Sequence, residues 1–406
     1  MSEYIEAALS RSRDSVFIDE SKLDFDYLPP RLPHRERQLR RLAETFRVLL
    51  GNPGKASVCA LIFGEVGAGK TVLVKFFGEN LVKIARSHRV QLAFVYLNCR
   101  TVESKWSLIM NAAAKLSPQE LAVRGYGPNQ LLRGIYDYLN ESNTYLLLVL
   151  DEADFFIKRT GDNIVYDFMR LSEDLANLPR RISTIFVARD RSIYEAPQLD
   201  QSTLSSLLGV ETIELPPYQP TELMDILIQR VAEAFKPNTV SEDVIEFIAE
   251  IAGGQGDARY AIELLAFAGR HADQEYARRV TPEHVRKARS KIHPQIRRED
   301  LNPLSIQEKV MLLAVARSLA PDEVYVDLRQ IRQAYEVCCE EYNLTRLGLA
   351  QLQGTLIELA KTGLINIKRS KDTLLISLPE ISVDSLRREL DTLIGSDKAE
   401  AVQDKK

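Results

Sequence analysis

The sequence predicts an α/β base built on a parallel sheet, then a small all-helical domain, then a C-terminal winged helix. Three observations predict it. Apolar strand-type runs alternate with helix-period segments between residues 57 and 215, as in a parallel sheet covered on both faces. After Pro216-Pro217 the strand-type runs stop, and only helix-period segments follow as far as Ile292. From Leu304, three further helical segments lead into two short strand-type runs joined by a polar turn, the outline of a winged helix.

Residues 1–20 are polar and are expected to form a flexible tail. Tyr27-Leu-Pro-Pro-Arg-Leu-Pro33 cannot be helical and reads as an extended arm. A helix over 34–50 follows, stopped by Gly51-Asn-Pro-Gly54. The base, 21–218, is expected to carry strands at 57–63, 91–97, 145–150, 181–188 and 211–215. Its helices are expected at 71–88, 102–116, 127–140 and 163–175. The helical domain, 219–298, holds segments at 221–235, 241–252, 257–271 and 281–292, with polar or Ser/Thr starts. Its last part, 278–298, is dense in Lys and Arg and suits either a phosphate track or a solvated helix face. The winged-helix domain, 299–395, places helices at 305–319, 326–342 and 345–362 and strands at 364–368 and 373–378. Residues 396–406 are expected to be a disordered tail.

Composition narrows the function classes. A chain of 406 residues exceeds one ordinary core, so two or three domains are expected. The apolar runs are too short to span a bilayer, and Met1 to Asp14 does not resemble a signal peptide. Four cysteines without framework spacing read as reduced thiols in a reducing cytosol, and five scattered histidines argue against zinc. A net charge of −4 neither predicts nor excludes nucleic-acid binding, because local patches matter more than totals.

The strongest chemical signal is Gly64-Glu-Val66-Gly67-Ala68-Gly69-Lys70-Thr71, lying between a strand and a helix. This is a P-loop. Its glycines let backbone N–H groups turn toward phosphates, and the helix that follows adds its positive dipole end. Lys70 is expected to reach the β- and γ-phosphates of ATP or ADP, and Thr71 to ligate magnesium. The partner signal is the strand Leu147-Leu-Val-Leu150 running into Asp151-Glu152. Asp151 is expected to serve the magnesium, and Glu152 to act as general base toward an attacking water.

P-loop, acidic pair and helical lid together resemble an AAA+ ATPase. The segment Gly256-Asp257-Ala258-Arg259-Tyr260-Ala261 resembles the second sensor of the archaeal origin-recognition initiators. Those proteins are relatives of the eukaryotic origin recognition complex and its helicase-loading partner. The arm ending in Pro33-His34-Arg35-Glu36 and the run Leu215-Pro-Pro-Tyr218-Gln-Pro-Thr-Glu-Leu223 are similar to that family, as is the terminal winged helix. The resemblance covers residues 15 to 395. It implies that Arg259 reaches the nucleotide phosphates from the lid, that Tyr218 and Arg230 contact the nucleotide, and that His34 and Arg35 flank the base. It implies binding of double-stranded origin DNA, recruitment or loading of an MCM-type replicative helicase, and association with other initiator paralogues. Nucleotide occupancy would set the angle between lid and base.

Departures from the family pattern qualify these expectations. Where the family's first sensor usually has Asn then Asp, this chain has Arg189-Asp190; Arg only donates, whereas Asn donates and accepts. Where an arginine finger is common, Ser202 stands in Leu199-Asp200-Gln201-Ser202; a finger is worth about 10³–10⁵ in rate where it operates. A nucleotide-responsive switch with slow or negligible hydrolysis is therefore expected. In the winged helix, Ala350-Gln351 replaces the family's paired arginines. DNA contacts are expected from Arg346, Gln351 and Thr355 on the third helix, from Lys368, Arg369 and Lys371 on the wing, and from Arg124 in a loop of the base. Two other readings fit: a DNA-binding regulatory paralogue that loads no helicase, and a transposition-type AAA+ ATPase.

Overall fold

The computed structural model describes residues 15–117, 127–160, 168, 178–195, 208–292, 301–370, 373–378 and 381–403. They fall into two units. The α/β unit comprises Leu28–Tyr218 and the short segment Gln255–Ala258. The helical unit comprises the chain through Tyr27, Gln219–Gly254 and everything from Arg259.

Continuous apolar runs form the sheet of the α/β unit. Strands β1 (Cys59–Gly64), β2 (Leu92–Asn98), β3 (Tyr145–Asp151), β4 (Ile182–Ala188) and β5 (Glu211–Leu215) pair in parallel in the order β2-β3-β4-β1-β5. The central strands β3 and β4 are buried along their whole length, while the outer strands β2 and β5 keep partly exposed positions. Side-chain alternation divides the core between the two faces. Leu146, Leu148 and Leu150 pack with α3 (Lys105–Leu116) and α4 (Pro128–Glu141), through Leu108, Ile109, Leu132 and Ile135. Leu147 and Val149 pack with α1 (Glu36–Phe46) and α2 (Lys70–Ser87), through Leu42, Phe46, Leu73 and Phe77. Helix α5 (Ala153–Thr160) follows β3 directly. The helix expected over 34–50 is interrupted at Arg47, with a short turn at Val48–Gly51. The one expected over 163–175 lies outside the described residues apart from Phe168.

In the helical unit, α6 (Pro220–Ala234), α7 (Glu242–Gly253), α8 (Ala258–Gln274) and α9 (Pro282–Ile292) form the lid. The winged helix follows as α10 (Ile306–Ser318), β6 (Val326–Asp327), α11 (Leu328–Glu341), α12 (Leu349–Lys361), β7 (Asn366–Ser370), β8 (Thr373–Ser377) and α13 (Val383–Gln403). Asp327 caps α11 through its carboxylate, so the helix starts two residues later than expected and Val326–Asp327 pairs antiparallel with β8 instead. Ser305 and Glu308 close a capping box at the head of α10.

The two expected tails, 1–20 and 396–406, are corrected over residues 15–20 and 396–403; the rest of each lies outside the described residues. From Ser15 the N-terminal chain is packed: Phe17 bridges to Phe235 with ring centroids 4.6 Å apart, and Val16 N–H donates to Asp273. At the other end, residues 396–403 continue α13, and Asp397 pairs at 2.7 Å with the nearly buried Lys309. Leu386, Leu390, Leu393 and Ile394 bury one stripe of that helix.

The lid and winged helix share a polar seam. Arg286 is 0% exposed and donates to the carbonyls of Leu378 (3.0 Å), Glu323 (2.8 Å) and Val324 (3.3 Å). Glu283 pairs with Arg286 and accepts from Ser382 Oγ and Val383 N. Over its described part the basic stretch is mixed: Arg286 and Arg289 are buried and Lys287 pairs with Glu275, whereas Arg278, Arg279 and Lys291 are exposed, Arg279 beside Asp322. Arg286 and Arg289 are therefore out of reach of a phosphate track, and residues 293–298 of the stretch lie outside the described residues. No helix among the described residues is long and apolar enough to cross a membrane.

Candidate nucleotide site and winged-helix surface

β1 delivers the chain to Gly64, where a Cβ would lie 2.8 Å from the Leu215 carbonyl of the neighbouring strand. The loop then needs left-handed backbone at Gly67 (φ +78°) and Gly69 (φ +86°), which L side chains adopt only with strain. Gly69 is the N-cap of α2, so Lys70 and Thr71 open the helix. Lys70 Nζ donates to the carbonyls of Gly64 and Glu65, spanning the loop it serves. Val66 at the loop's tip is exposed.

Parallel register sets Asp151, the last residue of β3, opposite Asn98 of β2. Asp151 is 2% exposed. Its Oδ2 accepts from Thr71 Oγ1 at 2.6 Å and from Tyr96 Oη at 2.8 Å, and its Oδ1 from Glu152 N–H at 2.9 Å. Burial, with Asp151 alongside, holds the Tyr96 hydroxyl firmly protonated, so it serves as a donor. A lysine facing an N–H-rich glycine loop at a helix N-terminus suits a polyphosphate. The oxygen-only pair of Thr71 and Asp151 suits a hard divalent cation such as magnesium.

Glu152 adopts a left-handed backbone (φ +55°), and Arg100 Nη1 lies 3.3 Å from its carboxylate. Arg189, at the first-sensor position, has Nε 3.6 Å from Oδ2 of the buried Asp154 on α5. Arg191 pairs with Glu214. The finger position, Ser202, lies outside the described residues.

Arg35 and Tyr218 come together in the α/β unit. Both are buried, with the guanidinium carbon 3.7 Å from the ring centroid. Arg35 donates to the carbonyls of Ala68 and Pro216. His34 precedes it with φ +63°. Arg230 and Arg259 belong to the helical unit. Arg230 is buried there, donating to the Lys22 carbonyl and lying over the Tyr27 ring; burial lowers its pKa, opposed by Glu233. Arg259 is exposed, with its guanidinium over the ring of Phe25. Their assignment to a nucleotide rests on the resemblance.

The winged-helix candidates are only partly available to a ligand. Lys368 donates to Glu246 and Glu250 of the lid, at 2.8 Å each, and these two carboxylates raise its pKa. Arg346 pairs with Glu340. Gln351 Oε1 accepts from Gly348 N–H, and Thr355 Oγ1 donates to the Gln351 carbonyl. Arg369 is exposed on β7, whereas Lys371 and Arg124 lie outside the described residues. The exposed side of α12 shows Leu349, Ala350, Gln351, Gly354, Ile357 and Glu358, without an arginine.

Sequence reading missed Tyr96, Arg100 and Asp257. Tyr96 and Arg100 become visible only when β2 is known to lie beside β3. Asp257 fills the space where a Gly67 Cβ would stand.

Comparison with known proteins places the chain. The AAA domain family matches residues 55–195, the Cdc6 AAA+ ATPase-type lid domain 224–290, and the CDC6 C-terminal winged helix domain 299–385. The chain is similar to an ORC1-type DNA replication protein 2 of Sulfolobus acidocaldarius, at 35% identity over 382 residues, covering 90% of this chain and 91% of that one. Its fold is similar to the crystal structure of Cdc6p from Pyrobaculum aerophilum (TM-score 0.82, 29% identity, covering 94% and 100%). It is also similar to the Aeropyrum pernix ORC2 protein in its ADP form (0.63, 26%, covering 94% and 99%) and to the Aeropyrum pernix ORC1 protein in complex with DNA (0.59, 27%, covering 95% and 98%). An α/β base with a P-loop, a helical lid and a winged helix, matched in order along nearly the whole chain, makes this protein a member of the ORC1/Cdc6 family of DNA replication proteins.

Proposed function

We propose that this chain is an ATP- or ADP-binding replication initiator that binds double-stranded origin DNA and helps recruit or load the replicative helicase, with nucleotide acting as a conformational switch. The observation that carries the nucleotide part is the joining of Lys70, Thr71 and Asp151 around a loop that only glycine can form at Gly67 and Gly69. The Aeropyrum pernix relatives solved with ADP and with DNA support both ligand classes. Lys70 would neutralise the β- and γ-phosphates, while Thr71 and Asp151 would hold magnesium, which supplies charge neutralisation on the phosphate oxygens. Glu152 is the group we assign to orient or deprotonate water, and Arg100 restrains it. With Arg189 and Ser202 at the sensor and finger positions, we propose that hydrolysis is slow. Double-stranded DNA would be held by Arg369 and Lys371 of the wing, by Lys368 once freed from its lid partners, by Arg346, Gln351 and Thr355, and by Arg124.

The test is nucleotide analysis of the purified chain with titration of ADP·Mg, together with genome-wide footprinting. Nucleotide uptake lost in Lys70→Ala and footprints at one or two origin loci are expected. Uptake unaltered by Lys70→Ala would sink the nucleotide reading. A second reading, a regulatory paralogue that loads no helicase, draws on the arginine-free face of α12 and on the excess of acidic over basic residues, 15 against 11, within 299–395. Footprints spread over promoters would favour it.

A further inference from the structure

We infer that Arg35 is a positioning residue of the P-loop, which it shapes from behind without touching the nucleotide. This deepens the nucleotide-binding reading above and rests on it. The tip of the loop is held at successive residues by groups outside the loop. At Gly67, the carbonyl accepts from Ala258 N–H (3.2 Å), and the Asp257 carboxylate fills the place where a Cβ would stand. At Ala68, the carbonyl accepts from Arg35 Nη2 (3.0 Å) and Nε (3.3 Å). At Gly69, Tyr218 Oη lies 3.0 Å from where a Cβ would stand. Arg35 joins the last two supports, because its guanidinium stacks on the Tyr218 ring at 3.7 Å. The same Nη2 donates to the Pro216 carbonyl at 2.9 Å, just after β5.

The chemistry favours a loop brace over a base contact. Arg35 is 2% exposed, and a buried guanidinium must place its fixed fork of donors on acceptors. Those donors meet the backbone carbonyls of Ala68 in the loop, of Pro216 after β5 and of His34. A carbonyl pinned backward at Ala68 turns the N–H of the same planar peptide, that of Gly69, forward, which is the orientation a phosphate needs. Ordering the loop beforehand removes an entropic cost from binding.

The experiment uses the full chain, freed of nucleotide, as wild type, Arg35→Met, Arg35→Lys, Tyr218→Phe and Lys70→Ala. Calorimetry measures Kd for ADP·Mg and for magnesium tripolyphosphate, which has no base. Hydrogen exchange follows the amides of residues 65–70 without ligand. Arg35→Met is expected to weaken both ligands by about tenfold or more, and Arg35→Lys by less, as two charge-assisted bonds to one carbonyl are lost or reduced. Exchange should quicken at residues 65–70 while β3 amides stay unchanged. Loss confined to ADP, with tripolyphosphate unaffected, would overturn the inference in favour of a base contact. A lower melting temperature with both Kd values within twofold of wild type would overturn it in favour of a purely structural arginine. If Arg35→Met fails to fold, Arg35→Lys and Tyr218→Phe decide by the same two ligands. A wild type that binds neither ligand defeats the nucleotide reading itself, whereas a Lys70-sensitive wild type with Arg35-insensitive binding defeats this inference alone.

Discussion

Replacing Arg286 by Met tests the seam between lid and winged helix. Met keeps much of the buried hydrocarbon and removes the guanidinium. The carbonyls of Glu323, Val324 and Leu378 then lose their donor, and Glu283 loses its cation while still holding Ser382 and Val383 N–H. A buried acceptor left unmade costs about 1–3 kcal/mol, and breaking a buried ion pair by removing one partner costs about 3–5 kcal/mol. The contributions overlap, so a total of about 3–5 kcal/mol is expected. Urea unfolding followed by circular dichroism measures it on the full chain. The single tryptophan, Trp106, lies on α3 of the α/β unit, so its fluorescence serves as a local control. Hydrogen exchange should quicken along residues 282–292 and 322–326, with β3 unaffected. A stability loss below about 1 kcal/mol, or exchange quickened equally in β3, would refute the reasoning.

Three further outcomes follow from the same geometry. Tyr96→Phe removes one donor to Asp151 and is expected to weaken magnesium-dependent nucleotide binding by about three- to tenfold, with little change in binding measured in EDTA; equal losses in both conditions would contradict it. Changing Glu246 and Glu250 together to Gln frees the wing lysine, so DNA affinity should rise and the dependence of log Kd on log salt should steepen by about one phosphate contact; an unchanged slope would speak against the wing. Burial lowers the pKa of His284 and of His271 below the ordinary histidine value of about 6.5. The unfolded chain therefore takes up protons that the folded lid resists, and stability should fall as pH drops below that value. His284→Gln should flatten the decline, and melting temperatures constant between pH 7.5 and 5.5 would refute it.

The parts of the fold read correctly from the chain are those written in local pattern. Buried parallel strands are continuous apolar runs, so 91–97 is offset from β2 by one residue at each end and 181–188 from β4 by one residue at its start. The P-loop is contiguous, and Asp151-Glu152 follows its strand directly. What escaped depends on distant partners. Lys368 looked like a free wing cation, yet its lid carboxylates are 118 and 122 residues away. Arg286 sits in a tract that composition alone would place in solvent. Helix α13 carries an apolar stripe in Leu386, Leu390 and Ile394, but the charged residues of 396–406 read as a tail rather than as its last turns. Arg35 illustrates the subtler limit: the motif around it marks importance, whereas only coordinates tell a guanidinium facing a ligand from one facing a carbonyl.

The seam around Arg286 bears on how this protein can be dissected. Cutting the chain between residues 292 and 301, where motif boundaries invite it, would give fragments with opposite defects. The upstream piece would carry an ionised arginine bereft of its carbonyl sockets, and the downstream piece would carry raw peptide acceptors at Glu323, Val324 and Leu378. The winged helix should therefore be expressed together with the lid and with residues 15–27 that pack on the lid, so that both halves of the join are inherited together.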